Sequence, residues 1–438
     1  MRAADPLSQA AMHLGRLRAC ESEWNGYHLP LATPPGQRYP YVYPRDLAAV
    51  ARAFDRLPDA LVREQASDAL RGAAEFLLRA QDLDGLWGQR YDLDAADQSI
   101  YRQEDNPAHA VAVLARHVRH ERQLGAPSPI EERCLDAMRR GLLAAKLAHH
   151  RPEINLYYST TSIHESGMET GYTLWTNGAY RDAYRLALQA AQEAGATELA
   201  KAWAHELEHH EDSLRRHFVQ NGEWMRALTP RGRFDRRADV TLLSPYYFRF
   251  EHLDPEASER SARRVERDLW DPDLGLLQRY LPFREDPAIH IHAGNGPWLA
   301  YTAWLAQRHA EKGDKERAKD LVARIHAFAG SDGDLPEHVS TPERFRDFMR
   351  DEWETGLDFE KEFDPAILLP RVPFTIILEE ANRMKHAYDA AQAAADQAGD
   401  GVIRFAAPLA WAHAEMAVAL HILAGGKPYV DPPAQRTS

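Results

Sequence analysis

The chain has 438 residues, with 66 acidic and 53 basic side chains and a formal net charge of −13. This acidic balance argues against a nucleic-acid-binding protein, because neutralising phosphates needs a basic face. The two cysteines, Cys20 and Cys134, are too few for a disulfide framework or a zinc cluster, and we expect both to be small buried hydrophobes. A hydrophobic content of 44% is enough for a large core, in either several average domains or one large repetitive domain.

We expect no targeting or membrane segment in this chain. Residues 1–6 lack the uninterrupted apolar region of a signal peptide, and no run approaches the roughly 20 apolar residues of a membrane span. We therefore expect a cytoplasmic protein with no membrane partner.

Apolar residues recur at i, i+3, i+4 and i+7 along most of the chain, which predicts helices. The predicted helices are 47–57, 61–80, 108–123, 130–148, 178–194, 198–218, 256–269, 296–312, 315–329, 375–397 and 409–424. Strand-like alternation is rare and short, which excludes α/β barrels and β-sandwiches. The sequence thus predicts an all-α protein.

These helices alternate between two kinds. One kind follows loops rich in aromatic and polar residues and is apolar almost all round, whereas the other, as in 199–216 and 315–324, is amphipathic and charged. The loops before the first kind recur roughly every 55 to 70 residues, with one longer interval at the end, which is typical of a repeat of helical hairpins. Six hairpins closing on themselves form an (α/α)6 barrel with an apolar inner ring and a solvated outer ring.

No Gly/Ser/Pro-rich linker interrupts the repeat, so we expect residues 1–438 to form a single domain. The acidic and aromatic segment 347–371 is predicted to be a long excursion between helices that acts as a lid over the pocket mouth.

The loops before the inner helices carry residues suited to a sugar site. Such a site needs aromatic platforms, bidentate partners for hydroxyls and, for hydrolysis, two carboxyl groups astride the glycosidic bond. Tyr43, Arg45 and Asp46 offer a guanidinium fork beside a carboxylate, although a structural ion pair at a helix start explains them too. Trp87 is explained by core packing at least as well, and Asp105 by an N-cap role.

Glu337 stands out among the carboxylates. It follows Pro336, where φ is fixed, and precedes His338 on a predicted loop. An isolated loop glutamate is usually solvent-exposed and idle, so only the surrounding pattern favours a role in chemistry.

The histidines do not predict a metal site. His290 and His292, and the pairs at 149–150 and 209–210, have no carboxylate at ligand spacing, and HExxH does not occur. We expect no metal and no cofactor, and His290 and His292 are alternatively sugar contacts.

The stretch 171–178 has the features of a pocket floor. Trp175, Thr176 and Asn177 lie at the entrance of a long alanine-rich helix, and an acid-rich segment, 164–169, precedes them. An aromatic anchor, two small polar side chains and a glycine at a helix entrance predict a binding surface rather than a plain turn.

Six segments, in order, resemble motifs of glycoside hydrolase family 15, which comprises glucoamylases, glucodextranases and isomaltose glucohydrolases. The segments are 43–46, 84–105, 171–175, 294–306, 333–338 and 408–414. The resemblance spans about residues 39–423 and implies an (α/α)6 barrel with inverting exo-α-glucosidase activity. The N-terminal β-sandwich domain of many bacterial members is expected to be absent, since the barrel motifs start by residue 43.

The resemblance also implies roles for individual residues. Glu337 matches the general base, and Arg45 and Asp46 match residues that hold the nonreducing-end glucose. Trp175 matches the aromatic residue beside the general acid. The remaining substrate-binding residues that these motifs imply are Tyr43, Trp87, Asp105, Thr176, Asn177, Trp298 and Trp411.

The chain departs from the family at Thr176 and Asn177, where the family has two glutamates, the first being the general acid. A threonine hydroxyl cannot protonate a leaving oxygen near neutral pH. Three interpretations remain. In the first, another carboxyl takes the acid role, and the nearest in sequence are Glu169, Glu165 and Glu104. In the second, the site performs different chemistry, such as a transfer, lyase or phosphorolysis reaction, and in the third the protein binds sugar without catalysis. The predicted ligand is a small α-glucoside or oligosaccharide, and the sequence does not indicate the oligomeric state.

Overall fold

The computed structural model of the protein describes residues 5–165, 169–280, 296–348 and 372–426. Most of the predicted lid, and His290, His292 and the start of the fifth motif at Gly294, lie outside these ranges.

Helices dominate the described residues. They are α1 Pro6–Ala19, α2 Pro44–Arg56, α3 Asp59–Ala80, α4 Asn106–Gln123, α5 Glu131–His149, α6 Leu174–Glu193, α7 Thr197–Phe218, α8 Ser244–Tyr247, α9 Pro255–Asp268, α10 Leu299–Glu311, α11 Lys315–Ala327, α12 Pro342–Phe348, α13 Phe374–Ala398 and α14 Ala410–Leu423. The expectation of an all-α protein is confirmed.

The strands are short and pair only locally. They are β1 Glu21–Trp24, β2 Tyr27–Pro30, β3 His150–Arg151, β4 Leu156–Tyr157, β5 Tyr172–Thr173, β6 Val219–Gln220, β7 Glu223–Trp224, β8 Ala227–Leu228, β9 Phe234–Asp235, β10 His338–Ser340 and β11 Ile403–Phe405. The pairs β1–β2, β3–β4, β6–β7 and β10–β11 and the three-stranded sheet β5–β8–β9 are antiparallel. They connect or extend the loops and build no layer of their own.

Twelve of the helices form two concentric rings. The inner ring is α2, α4, α6, α8, α10 and α14, and it closes because α14 packs on both α10 and α2. The outer ring is α1, α3, α5, α7, α9 and α11, and α1 packs on the last inner helix, α14. This is the expected (α/α)6 barrel.

Local sequence explains where the inner helices begin. Pro44 opens α2 directly after extended Tyr43, with Asp46 in the positive first turn. The Thr173 side chain caps α6 by accepting from the Thr176 amide. Alanines fill much of α6, so its neighbours approach closely and nearly its whole surface is buried.

All eleven predicted helices are present with small shifts at their ends, but α1, α8 and α12 were missed. In α1, the buried face combines Ala10, Leu14 and Leu17 with His13, and this polar residue at a core position hides the apolar period. Helix α8 has four residues and α12 has seven, which is too few for periodicity to register.

Two buried histidines, His13 and His413, and the half-buried His326 link α1, α14 and α11 through a directional series of hydrogen bonds. The Leu335 amide donates to His413 Nε2 at 3.1 Å, so the His413 proton lies on Nδ1 and faces His13 Nδ1 at 2.9 Å. His13 then donates from Nε2 to His326 Nε2 at 2.9 Å. Burial lowers the pKa of His13 to about 2 and that of His413 to about 3. This series of hydrogen bonds therefore requires that the imidazoles be neutral.

This histidine chain should make the fold sensitive to acid. Because the folded pKa is lowered, the unfolded state binds more protons below about pH 6.5, and stability falls as the pH falls from there towards the folded value. We expect His13→Asn to reduce the slope of the unfolding free energy between pH 6 and 4 by about 1.4 kcal/mol per pH unit. Urea unfolding at several pH values measures the slope. His205→Asn, at an exposed position, is the control, and equal slopes in the two variants would contradict the expectation.

Candidate functional site

A cavity opens where the loops before the inner helices converge. Its empty volume, which includes solvent space up to the open mouth, is about 920 Å³. The residues expected from the sequence that line it are Tyr43, Arg45, Asp46, Glu165, Trp298, Glu337 and Trp411. Segments far apart in the chain thus meet at one mouth of the barrel, and these expected residues alone bring aromatic rings, a guanidinium and three carboxyl groups around a single space.

Glu337 is held in a fixed position in this wall. Its amide donates to Phe405 O at 2.9 Å, and its carbonyl accepts from the Leu299 amide at 3.3 Å. The Tyr39 hydroxyl donates to Glu337 Oε2 at 3.0 Å, and His338 Nδ1 lies 3.5 Å from the same oxygen. The side chain keeps 12% of its surface exposed. Glu337 is therefore an oriented carboxylate that solvent can still reach.

Gly296 allows the adjacent loop to approach this strand. Its φ is +93°, and a Cβ at this position would lie 2.2 Å from Val339 O. Only glycine fits such a conformation and contact without a backbone shift. The approach places Trp298 at the cavity, where its ring stacks on that of His338.

Glu165 faces the cavity and is anchored through one oxygen. Its Oε1 accepts from Arg45 Nη2 at 3.1 Å, Gln89 Nε2 at 3.2 Å and Gln103 Nε2 at 2.6 Å. No described residue donates to Oε2. The backbone φ of Glu165 is +53°, a conformation that costs a non-glycine residue on the order of 1–3 kcal/mol and tends to occur at functional sites.

Glu169 and Glu104, the other two nominated acids, do not line the cavity. Glu169 Oε2 accepts from the amides of Ser162 at 2.7 Å and His164 at 3.0 Å, and Glu104 Oε2 accepts from the Thr160 amide at 2.7 Å. Burial raises the pKa of each of these carboxyl groups to about 7. Both have the pKa of a proton donor without the position, whereas Glu165 has the position.

Asp46 is the third carboxyl group of the wall. Burial raises its pKa to about 7, and the charges of Glu337 and Glu165 act in the same direction while Arg45 opposes them. Near neutral pH this group can both donate and accept hydrogen bonds, which suits it to sugar hydroxyls.

Thr176 and Asn177 lie behind the cavity wall, although the resemblance places them in the substrate site. Thr176 Oγ1 donates to Ser162 Oγ at 3.0 Å. Asn177 accepts from the Tyr157 amide at 2.8 Å and donates to the Tyr157 and Thr173 carbonyls. Both side chains are fully buried, so their hydrogen bonds secure the loop around 157–162 against α6.

Trp175 and Asp105 form a layer beneath the cavity. Trp175 is fully buried and stacks between Tyr247 and Trp304. Asp105 Oδ2 accepts from Trp175 Nε1 at 2.9 Å and lies 3.9 Å from Arg45. Asp105 is the N-cap residue of α4, but its side chain makes no capping hydrogen bond. It holds the negative charge that faces the buried Arg45.

Trp87 lies in the core, as its alternative interpretation supposed. It is buried, and its Nε1 donates to Leu77 O at 2.9 Å. Trp87 does not line the cavity. The structure therefore does not place it where it would contact a substrate.

Several cavity residues were missed by the sequence reasoning. Glu380 of α13 lies 2.6 Å from Arg38 Nη2 and 2.9 Å from Arg90 Nη1. Burial would raise its pKa, but the two guanidinium groups override burial and hold it at about 2. The other missed residues of the lining are Tyr39, Gln89, Tyr101, Arg279, Tyr301, Met384, Tyr388 and Phe405. A buried glutamate that follows an exposed glutamate on an amphipathic helix gives no signal in the sequence alone.

The described residues suggest neither a metal centre nor a membrane span. No group of three His, Cys, Asp or Glu side chains in the described ranges is placed to hold an ion. Among the helices of those ranges, none combines the length and apolar character needed to cross a bilayer.

Solved structures with the same architecture are glycosidases and glucoamylases. A glycosidase in complex with glucose aligns over 97% of this chain and 98% of its own, with a TM-score of 0.57 and 19% identity. A bacterial glucoamylase complexed with acarbose aligns over 97% of this chain and 56% of its own, with a TM-score of 0.59 and 15% identity. The glucoamylase of Saccharomycopsis fibuligera aligns over 97% and 96%, with a TM-score of 0.57 and 14% identity.

No family profile and no curated protein sequence matches the chain. At identities this low the structural likeness defines the fold, which is the (α/α)6 barrel of glucoamylase-like glycosidases. The resemblance expected from the sequence motifs is thus confirmed at the level of architecture.

Proposed function

We propose that the protein is an inverting, exo-acting α-glucoside hydrolase that acts on small α-linked gluco-oligosaccharides, with Glu337 as the general base. The observation that carries the proposal is that the oriented Glu337 and the carboxyl of Glu165 line one cavity together with Arg45 and Asp46. Glycosidases and glucoamylases among the structural neighbours, including complexes with glucose and acarbose, support it.

In this mechanism Glu337 accepts a proton from a water molecule, which attacks the anomeric carbon opposite the leaving group. The bond from that carbon to the glycosidic oxygen breaks, and the oxygen takes a proton from an acid on the other side. An α-glucoside then yields β-glucose. Inverting pairs hold their carboxyl groups roughly 6.5–9.5 Å apart, which leaves room for the water.

We assign the acid role to Glu165 rather than Glu169, because Glu165 lines the cavity. The three donors on Oε1 fix the carboxyl plane, and Oε2 remains to carry the transferred proton. Thr176, at the position where the resembling family has its acid, contacts the hydroxyls of Ser159 and Ser162.

Recognition of the sugar is proposed to rest on Arg45, Asp46 and two rings. Arg45 is buried and faces Asp105 and Glu165, so its orientation is fixed before a ligand arrives. Asp46 supplies a hydroxyl partner, and Trp298 and Trp411 offer apolar faces to the sugar ring. A small neutral substrate also accords with the cytoplasmic location expected from the sequence.

A panel of α-linked glucose disaccharides tests the proposal. Glucose release with β-glucose as the first product, followed by NMR, is the expected result. Turnover with retention of the α-configuration would exclude the inverting mechanism. Absence of turnover with measurable binding would favour a sugar-binding protein instead.

That second possibility, a non-catalytic sugar-binding protein or an enzyme of different carbohydrate chemistry, is favoured by one observation. The position that holds the acid in the resembling family is a threonine enclosed in hydroxyl contacts behind the wall. The hydrolase and these alternatives therefore differ in whether a proton donor acts from inside the cavity.

Tyr39 should contribute to catalysis by orienting the base. We expect Tyr39→Phe to lower kcat on the order of 10- to 100-fold with a small change in KM, since a hydrogen bond to a charged group contributes about 1.5–3 kcal/mol. Steady-state kinetics on the best disaccharide measure the effect. Tyr41→Phe is the matched control, because Tyr41 is a buried neighbour outside the cavity lining. Equal losses in both variants would contradict the orienting role.

A further inference from the structure

Helix α13 belongs to neither ring of the barrel. The chain leaves the barrel after β10 and returns through β11, and these strands pair antiparallel with Ser340 opposite Ile403. The chain between these strands, described at 341–348 and 372–402, is therefore an excursion whose two ends are held together beside the cavity residues His338 and Phe405. Glu337 directly precedes β10, so this excursion departs from the wall that holds the proposed base.

The excursion and β11 form a hydrophobic cluster distinct from the core of the barrel, and Tyr39 packs against both. The members of the cluster are Phe345, Ala381, Met384, Tyr388, Ala391, Ala395, Ile403 and Phe405. Polar contacts add to these apolar contacts in holding α13 against the barrel. The strongest of these contacts joins Glu380, which is 5% exposed, to Arg38 at 2.6 Å and Arg90 at 2.9 Å.

We propose that α13 is a specificity-determining wall, docked by Glu380, which closes one side of the cavity and restricts the occupant to short saccharides. Three of its side chains, Glu380, Met384 and Tyr388, line the cavity together with residues of the barrel. An open groove would let a long α-glucan continue past this side, whereas the docked helix blocks it. The inference rests on the proposed function and names the substrate class of the same site.

The docked helix also positions the proposed base, through two routes. In the first, Arg38, paired with Glu380, lies over the Tyr39 ring at 4.4 Å, and the Tyr39 hydroxyl donates to Glu337. This route reaches the carboxylate itself.

The second route reaches the backbone of the base. The Tyr388 ring stacks on Phe405 with centroids 4.5 Å apart, and the Phe405 carbonyl accepts from the Glu337 amide at 2.9 Å. The helix therefore touches the supports on both sides of Glu337, and Glu380 and Tyr388 are positioning residues.

Charge makes Glu380 the critical contact of the docked state. Arg38 and Arg90 are both buried, and Glu380 is the carboxylate that the described structure pairs with both of them. Removing its charge leaves two desolvated cations in one wall, which favours separation of the helix from the barrel. Glu379, the preceding residue, is exposed on the same helix and provides a control with the same change of charge.

The test compares wild type, Glu380→Gln, Met384→Ala and the control Glu379→Gln. Titrations followed by intrinsic tryptophan fluorescence give affinities for glucose, maltose, isomaltose and maltoheptaose. For the wild type and Glu379→Gln we expect maltoheptaose to bind no more tightly than maltose. In Glu380→Gln and Met384→Ala the affinity ratio of maltoheptaose to maltose should rise at least fivefold. A ratio that stays at the wild-type value in both variants, while sugars still bind, overturns the wall and leaves the proposed function intact.

Hydrogen exchange supplies a readout that needs no sugar. In Glu380→Gln, amides of 376–395 and of 337–339 should exchange at least tenfold faster than in Glu379→Gln. Faster exchange in the helix alone overturns the coupling to the base. Failure of the wild type to bind any of the four sugars overturns the proposed function and, with it, the assignment of α13 as a substrate-length wall.

Discussion

Replacing Glu337 with Gln is expected to lower kcat/KM for α-glucoside hydrolysis on the order of 10²- to 10⁴-fold. Gln has nearly the same shape and can still accept the hydrogen bond from Tyr39, but it cannot take a proton from water. Binding should survive, because sugar recognition is assigned to other residues. Glucose release measures the rate, and fluorescence titration with glucose measures binding, for which we expect less than about a threefold change.

Two comparisons sharpen this experiment. Glu343→Gln, at an exposed position on α12, changes the same charge outside the cavity and should keep wild-type activity. Glu337→Ala removes the base and leaves space, so added azide should restore turnover and give a β-glycosyl azide, because the nucleophile then needs no deprotonation. Wild-type rates in Glu337→Gln would exclude this residue as the base.

The sequence predicted the architecture because the helical period and the recurrence of hairpins extend over the whole barrel. It also named Arg45, Asp46, Trp298 and Glu337 for one site, and the structure places all four in the same cavity. Arg45, Asp46 and Trp298 could be named because they lie at or just before the starts of inner helices, which hairpin repeats bring together at one end. Glu337 lies before β10 instead, and only the family motif named it.

Residues that sequence reasoning missed act through contacts between distant segments. Glu380 and Arg38 are 342 positions apart in the chain, and neither has a local pattern that distinguishes it from a solvated charge. The Tyr39 hydroxyl acquires its role only because β10 brings Glu337 to it. Such pairings depend on how the excursion folds back, which periodicity does not report.

The segment 171–178 differs from its expected position in the opposite way. Motif order placed Trp175, Thr176 and Asn177 at the substrate, yet all three are fully buried. The motif reports a helix entrance that packs in the same way with or without catalytic side chains. With threonine at the entrance, the neighbouring loop packs hydroxyl against hydroxyl, and Glu165 of that loop lines the cavity.

Comparing substrates with different leaving groups can identify the general acid. We expect Glu165→Gln to lower hydrolysis of a disaccharide on the order of 10²- to 10⁴-fold, because its basic sugar oxygen must be protonated as it departs. α-Glucosyl fluoride needs little protonation to depart, so its hydrolysis should fall less than about tenfold in the same variant. The ratio of the two rates separates loss of an acid from loss of binding, which would affect both substrates alike.

Glu169→Gln is the matched variant, since both glutamates lie in one loop and only Glu165 reaches the cavity. Glu169 accepts hydrogen bonds from two buried amides, so its replacement should lower the melting temperature and leave the ratio of disaccharide to fluoride rates unchanged. A changed ratio in Glu169→Gln but not in Glu165→Gln would transfer the acid role to Glu169, whose pKa of about 7 suits it. If neither variant changes the ratio while Glu337→Gln is inactive, the proton comes from another group in the cavity. Asp46 is then the carboxyl to replace, because it lines the cavity and has a pKa of about 7.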